Sequence, residues 1–292
     1  MIKKIKFKNF AMLKSEVRKS GKTLPEFLKE YEALNQGISI NETVERMEKI
    51  LNVMNESIKR GLEKTNKSRT GMTNGGAYKV RNLGIHLINK DFTEVIYNTL
   101  AVAETNACMG RIVAAPTAGA CGVLPGALIS IAKFNNVPHN KVIDALFVSG
   151  GIGEVIANIA SLSGARHGCQ AEIGSASSMT AGAITSMFTD DIDAIESAAA
   201  FAMKNLLGLV CDPVGGFVEI PCIKRNVNGA FNAISSAEMA LSGIRTVIPF
   251  DEVILAMKRI GEKMSPTLKE TAEGGLAATP TAKELVRKFK ER

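Results

Sequence analysis

Three cysteines in this chain stand where a packed core would not put them. Cys169 lies in "GARHGCQAEIGSAS" (164–177), Cys211 in "LVCDPVGG" and Cys222 in "EIPCIKRN". A buried cysteine ordinarily behaves as a small hydrophobe among larger aliphatics. Each of these three sits instead in a turn-like stretch with Gly or Pro. Turns leave backbone N–H groups free to point at a thiolate or a sulfide, and such bonds tune a bound cluster. The separations, 42 and 11 residues, match none of the tight C-x-x-C spacings of zinc ribbons or ferredoxins. The case for a shared site therefore rests on the surroundings of the three thiols. Cys108 and Cys121, which flank "MGRIVAAPTAGA" among apolar neighbours, read as structural thiols.

Three thiolates around a four-iron cubane would leave one iron with an open position, which is what a Lewis acid needs. A zinc ion is the alternative, with His167 joining the three cysteines. His167 and Cys169 are separated by one residue, an awkward spacing for one tetrahedral ion, and a lone histidine is more often a satisfied polar residue than a ligand.

The elements that must position these thiols read as helices. Hydrophobic residues make up 46% of the 292, aromatics 5%, and there is no Trp, so small aliphatics do the packing. Val/Ile/Tyr alternation, the usual sign of a strand, is scarce. In "SINETVERMEKILNVMNESIKRGLEK" Ser39 and Glu42 have the spacing of a capping box, with Asn41 as a rival cap. Val44, Met47, Leu51, Met54 and Ile58 then recur along one helical face and read as core. From 92 to 210 the chain is apolar and rich in small residues, with expected Gly breaks at 110, 119–126, 150–153, 164–168 and 174. The expected fold class is mostly α, a compact helical catalytic domain whose Gly-rich turns form the cluster and substrate site. Residues 1–66 are expected as an N-terminal helical segment with a basic arm, packed on a main domain at 67–282. Residues 283–292 read as a charged, solvated tail.

Charge and hydropathy exclude some functions. Of the net charge of +7, +6 falls in residues 1–30, while the Gly- and Ala-rich middle is near neutral and lacks aromatics for base stacking. This excludes nucleic acid as a partner and leaves a solvated arm or a docking surface for an acidic protein. The apolar stretch 145–165 contains Glu154, Asn158 and three glycines within 150–153, so a buried helix pair is expected there rather than a membrane span. The N-terminal stretch is basic but has no apolar run of signal-peptide length. Five cysteines in such a chain point to thiols in a reducing cytoplasm.

Four stretches, "ETNACMGRIVAAPTAGACGVLPGAL", "GCQAEIGSASSMTAGA", "CDPVGGFVEIPCIKRN" and "LKETAEGGLAATPT", closely resemble the alpha subunit of the oxygen-sensitive iron–sulfur L-serine dehydratases. The resemblance covers the chain to about residue 282. It implies a [4Fe–4S] cluster held by Cys169, Cys211 and Cys222. It also implies a lyase that converts L-serine to pyruvate and ammonia without pyridoxal phosphate. The open iron would act on the serine hydroxyl, a poor leaving group. Anchoring the substrate carboxylate needs donors of little bulk, and two Gly-rich turns, "GMTNGGAYK" and "APTAGACG", offer them. The candidate substrate residues are Thr117 with the backbone around Ala118 and Gly119, together with Thr73 and Gly75. Lys79 and Asn106 are further candidates, Lys79 being equally a surface charge and Asn106 equally a helix-packing amide.

A base must also take the α-proton. None of His86, His139 and His167 sits in a turn suited to this, and the Gly-His motif that the family carries on a second polypeptide is absent here. The resemblance therefore implies a separate beta subunit that supplies the base. Where the family turn reads T-G-G-D-A, this chain has Thr73-Asn74-Gly75-Gly76-Ala77. A related iron–sulfur lyase that removes sulfide from L-cysteine and a non-catalytic scaffold subunit are the rival readings.

Overall fold

Local capping chemistry sets the first helices. The computed structural model describes residues 7–63, 67–83 and 87–291. Helix α1 (Phe10–Ser20) starts at Asn9, whose side chain accepts from the Met12 N–H. Helix α2 (Leu24–Gln36) starts at Thr23 with Glu26 closing a reciprocal capping box. Helix α3 (Ile40–Gly61) is capped by Ser39, which accepts from Glu42 N, so Asn41 lies inside the helix. A cap of this kind is worth about 1 kcal/mol. The stripe on α3 faces inward: Leu51, Met54 and Ile58 are buried, and Val44 and Met47 pack against the same core.

Ten more helices follow: α4 (Gly76–Leu83), α5 (Lys90–Ala107), α6 (Val123–Phe134), α7 (His139–Ile159), α8 (Gly164–His167), α9 (Ser175–Phe188), α10 (Ile192–Lys204), α11 (Cys222–Leu241), α12 (Phe250–Lys263) and α13 (Pro280–Lys290). The described residues form no strand, only two isolated bridges, so the fold is mostly α as expected. Helix α9 is the axis, buried from Ser175 to Met187 and surrounded by α6, α7, α10 and α11. Apart from Ser175, its hydroxyls are satisfied within the core: Thr180 and Thr185 donate one turn back to Ala176 O and Ala181 O. Ser178 reaches Ala199 O at 2.9 Å, and Ser177 reaches Gly229 O at 2.5 Å. A buried hydroxyl without such a partner costs free energy.

Helix α7 runs unbroken through 150–153, against the expected break and helix pair. The reason is packing between helices. A Cβ on Gly151 would come within 2.8 Å of Leu28 on α2, and one on Gly153 within 3.1 Å of Met179 on α9. These glycines let helices approach closely; they do not end one. Helix α7 is the one helix among the described residues long and apolar enough to cross a membrane by length and composition, and it lies in the core, 67% of its apolar window buried.

The described part of the basic arm is not free. On α1, Lys14 pairs with Asp193 and Glu196, and Arg18 with Asp193, all on α10. Residues 1–6 lie outside the described residues. The charged tail is also more than a solvated helix: Phe289 of α13 stacks edge-on against Phe217 with ring centroids 5.1 Å apart.

Candidate active site

The three cysteines come from three different segments. Cys169 follows α8 at Gly168, which takes φ +77°, and opens a short π-helical stretch at 170–174 that runs straight into α9. Cys211 lies in the loop after α10 and is held by its backbone: its N–H donates to Leu268 O at 2.9 Å, and its carbonyl accepts from Glu270 N at 2.7 Å. Cys222 is the first residue of α11. The segment that clamps Cys211 is the "LKETAEGGLAAT" stretch, with Glu270 and Ala272 at positive φ (65° and 58°). Non-glycine residues adopt that region uncommonly. The same strap reaches the next residue, since Leu276 N donates to Asp212 Oδ2 at 2.8 Å.

Polar side chains lock these segments together. Arg225, one turn into α11, donates to Val210 O at 2.8 Å and pairs with Asp212 Oδ1 at 2.8 Å, bracketing Cys211 on both sides. Asn226 donates to Gly119 O and Cys222 O and accepts from Gly122 N, so it joins the 117–122 turn to α11. Gln170, 1% exposed, donates to His167 O and Met257 O and accepts from Gly208 N. Gln170→Leu strands these three backbone partners, and an unmet buried group costs about 1–3 kcal/mol. The expected result is a loss of about 2 kcal/mol in urea unfolding with an unchanged m-value.

The thiols interact electrostatically. The neighbouring Cys211 thiol holds Cys169 below its ordinary pKa, with Arg225 adding to the effect. The same contact, then burial, pushes Cys211 well above its ordinary value. Burial first, then the charge at Cys169 and Glu172, pushes Cys222 up to about 12. Glu172 is the carboxylate among them, its Oε2 3.8 Å from Cys211 Sγ. Burial raises the pKa of Glu172 and the exposed Glu270 adds to the rise, while the Thr117 hydroxyl and the Cys211 thiol offset part of it. Space here is kept by a missing side chain: a Cβ on Gly164 would lie 2.6 Å from Glu172 Oε2 and 3.0 Å from Cys211 Sγ. All five cysteines are free thiols, and among the described residues no three His, Cys, Asp or Glu side chains converge on a point that one metal ion could occupy.

The two Gly-rich turns reach this region from different sides. In the 117–119 turn, Gly119 lies against Glu172, the buried Thr117 hydroxyl faces the same carboxylate without closing a hydrogen bond, and Ala118 is exposed. Asn106, near the end of α5, donates to Ala118 O at 3.1 Å and so holds that turn. In the other turn Thr73 and Gly75 are buried, and the Thr73 hydroxyl donates to Glu219. Lys79 is exposed on α4, and its charge acts on Glu104. Glu104, 3% exposed, accepts from Gly76 N and Ala77 N and so caps α4 from α5. A Cβ on Gly76 would lie 2.6 Å from Glu104 Oε1, so a carboxylate from another helix fills the space beside that glycine. Burial, the largest influence, raises the pKa of Glu104.

Of the histidines, His167 is buried against Gly261 with Nδ1 unpartnered. His139 is exposed, 3.5 Å from Glu48, and His86 lies outside the described residues. Sequence reasoning passed over Gln170, Glu172, Arg225, Asn226, Glu104 and Glu219. The available signal was their position: the first four lie one to four residues after a cysteine.

The family model for the serine dehydratase alpha chain matches residues 11–277. The Bacillus subtilis (strain 168) protein named "Probable L-serine dehydratase, alpha chain" is 44% identical over 282 residues, covering 92% of this chain and 94% of that protein. The L-serine dehydratase alpha chain of Peptoniphilus asaccharolyticus is 36% identical over 263 residues, covering 89% and 90%. The L-serine dehydratase of Helicobacter pylori (strain ATCC 700392 / 26695) is 46% identical over 182 residues, which is 61% of this chain and 40% of that protein. The family match begins in α1 and runs through the strap that clamps Cys211, taking in every segment that carries a cysteine; the chain belongs to the serine dehydratase alpha chain family.

Proposed function

We propose that this chain is the alpha subunit of an iron–sulfur L-serine dehydratase, a lyase that eliminates water from L-serine to give pyruvate and ammonia. The observation that carries this reading is that Cys169 and Cys211 pack in one buried cluster, with Cys222 near enough for the charge at Cys169 to act on it, on segments clamped by Arg225, Asn226 and Gln170. The residues suit a [4Fe–4S] group. The donors are three free thiols, and Gly164 keeps side-chain bulk away from Cys211. Cys169, Cys211 and Cys222 would hold the cluster. When bound by three cysteines, such a cluster supplies an open iron as Lewis acid for the departing hydroxyl.

The chain's own residues do the rest. The 117–119 turn, fixed by Asn106 and Asn226, offers small residues to the substrate carboxylate, with the Thr117 hydroxyl, which closes no hydrogen bond to Glu172, beside them. Thr73 and Gly75 bring the second turn to the same task, and Lys79 adds positive charge at its edge. The base for the α-proton is placed outside the described residues of this chain: His167 is packed against α12, and His139 lies in a separate cavity with Leu51 and Asn55. The "alpha chain" in the relatives' names supports a partner subunit, and a separate beta chain would supply that base.

The test is iron and acid-labile sulfide on protein purified without oxygen, followed by pyruvate release from L-serine and L-cysteine with the partner chain present. The expected result is about four iron and four sulfide per chain, with serine preferred. Preference for L-cysteine would reassign the substrate to the desulfidase class. Little iron after anaerobic reconstitution, or no turnover with either amino acid, would leave a non-catalytic scaffold.

A further inference from the structure

One carboxylate holds the turn that leads into α4. Glu219, 4% exposed, accepts hydrogen bonds from Ser68 Oγ at 2.7 Å, Thr70 Oγ1 at 2.7 Å and Thr73 Oγ1 at 2.6 Å. All three donors belong to one short turn, far from Glu219 in sequence. The turn also closes on itself, with Ser68 N donating to Thr73 O and Thr73 N to Ser68 Oγ, both at 3.2 Å. It has almost no apolar anchor of its own, since Met72 is its only large apolar side chain and is half-buried, and Gly71 and Asn74 are exposed. A surface turn of this composition would be solvated and loosely placed. Burying a carboxylate is costly unless its oxygens are fully bonded, and here the turn supplies those bonds.

Glu219 is also tied to the cysteines. Its carbonyl accepts from Ile223 N at 3.1 Å in the first turn of α11, the helix that Cys222 opens. One residue therefore joins the Thr73–Gly75 turn through its side chain to the start of α11 through its backbone. On the other side of Gly75, Glu104 fixes the Gly76 and Ala77 amides independently. Loss of Glu219 would thus free the turn while α4 stays capped.

We propose that Glu219 is a positioning residue that sets the Thr73–Gly75 turn at a fixed place relative to Cys222, so that substrate held by the turn meets the metal centre. This rests on the serine dehydratase reading above. The test compares wild type, Glu219→Ala and Glu219→Gln, each loaded anaerobically and combined with the partner chain. Three quantities are read: hydrogen exchange of peptides spanning 67–77, iron and sulfide per chain, and kcat and KM for L-serine. In Glu219→Ala, exchange in 67–77 should accelerate about tenfold or more and KM should rise about tenfold, with kcat within about threefold and iron unchanged. Glu219→Gln, which keeps one acceptor oxygen, should fall between the two.

Unchanged exchange and KM would overturn the proposal. Loss of iron in step with KM would also overturn it, because Glu219 would then only support the cysteine segment. If Glu219→Ala fails to fold, the pair Ser68→Ala/Thr70→Val removes two donors and leaves the carboxylate, and the same readouts decide with the same meanings. If wild type turns over no serine, the dehydratase reading fails by itself, and the exchange data still decide whether Glu219 holds the turn.

Discussion

Cys211→Ser is expected to lower iron per chain to less than about half of wild type and serine turnover by about a thousandfold or more, while thermal unfolding barely moves. The two effects separate because different atoms carry them. The place of residue 211 in the fold is fixed by its backbone, paired with Leu268 and Glu270, and by Arg225 gripping Val210 and Asp212 on either side. None of those bonds uses sulfur, so the oxygen-for-sulfur exchange leaves them intact. What is lost is a soft thiolate ligand, which a serine hydroxyl cannot replace at neutral pH. Cys108→Ser is the control: Cys108 ends α5 and should keep full iron and full turnover. Full iron in Cys211→Ser, or equal loss in Cys108→Ser, would remove Cys211 from the proposed ligand set.

What could be read from the sequence was whatever neighbouring residues decide among themselves. Ser39 as a cap and the Leu51–Met54–Ile58 stripe follow from spacings of three and four, and the helix forms as read. The glycines at 150–153 misled because a local reading treats glycine as a helix breaker, whereas here the deciding partners are Leu28 and Met179 on other helices. The tail is the largely exposed helix that its charge suggested, and only the contact of Phe289 with Phe217 waits on the folded chain. The three cysteines stood out by chemistry and surroundings. Their supports did not, because Asn226 and Glu219 take their meaning from the turns at 119–122 and 68–73, more than a hundred positions away. A buried carboxylate reads as an ordinary surface charge until its three hydroxyl partners are in place.

The reliance on small residues makes a second strong prediction, at Gly126. Where α5 crosses α6, a Cβ on Gly126 would lie 2.1 Å from Thr99 Oγ1, 2.6 Å from Thr99 Cα and 2.7 Å from Thr99 N. Two of those atoms are backbone and cannot rotate away, so Gly126→Ala must push the helices apart. Overpacking of this kind usually costs about 1–3 kcal/mol and occasionally more; a clash with backbone belongs at the upper end, about 3–4 kcal/mol. For a chain of this size that lowers Tm by roughly five to seven degrees. The damage also travels to the site. Helix α6 continues directly from the 117–122 turn, which Asn106 at the end of α5 and Asn226 on α11 hold from two sides. Separating α5 from α6 pulls that turn from one holder or the other, so serine KM should rise even among molecules that remain folded. Thr99→Ala removes the hydroxyl but neither backbone atom. It should therefore fail to rescue Gly126→Ala, and a double variant restored to wild-type Tm would show that side-chain crowding, not helix approach, sets the limit at this crossing.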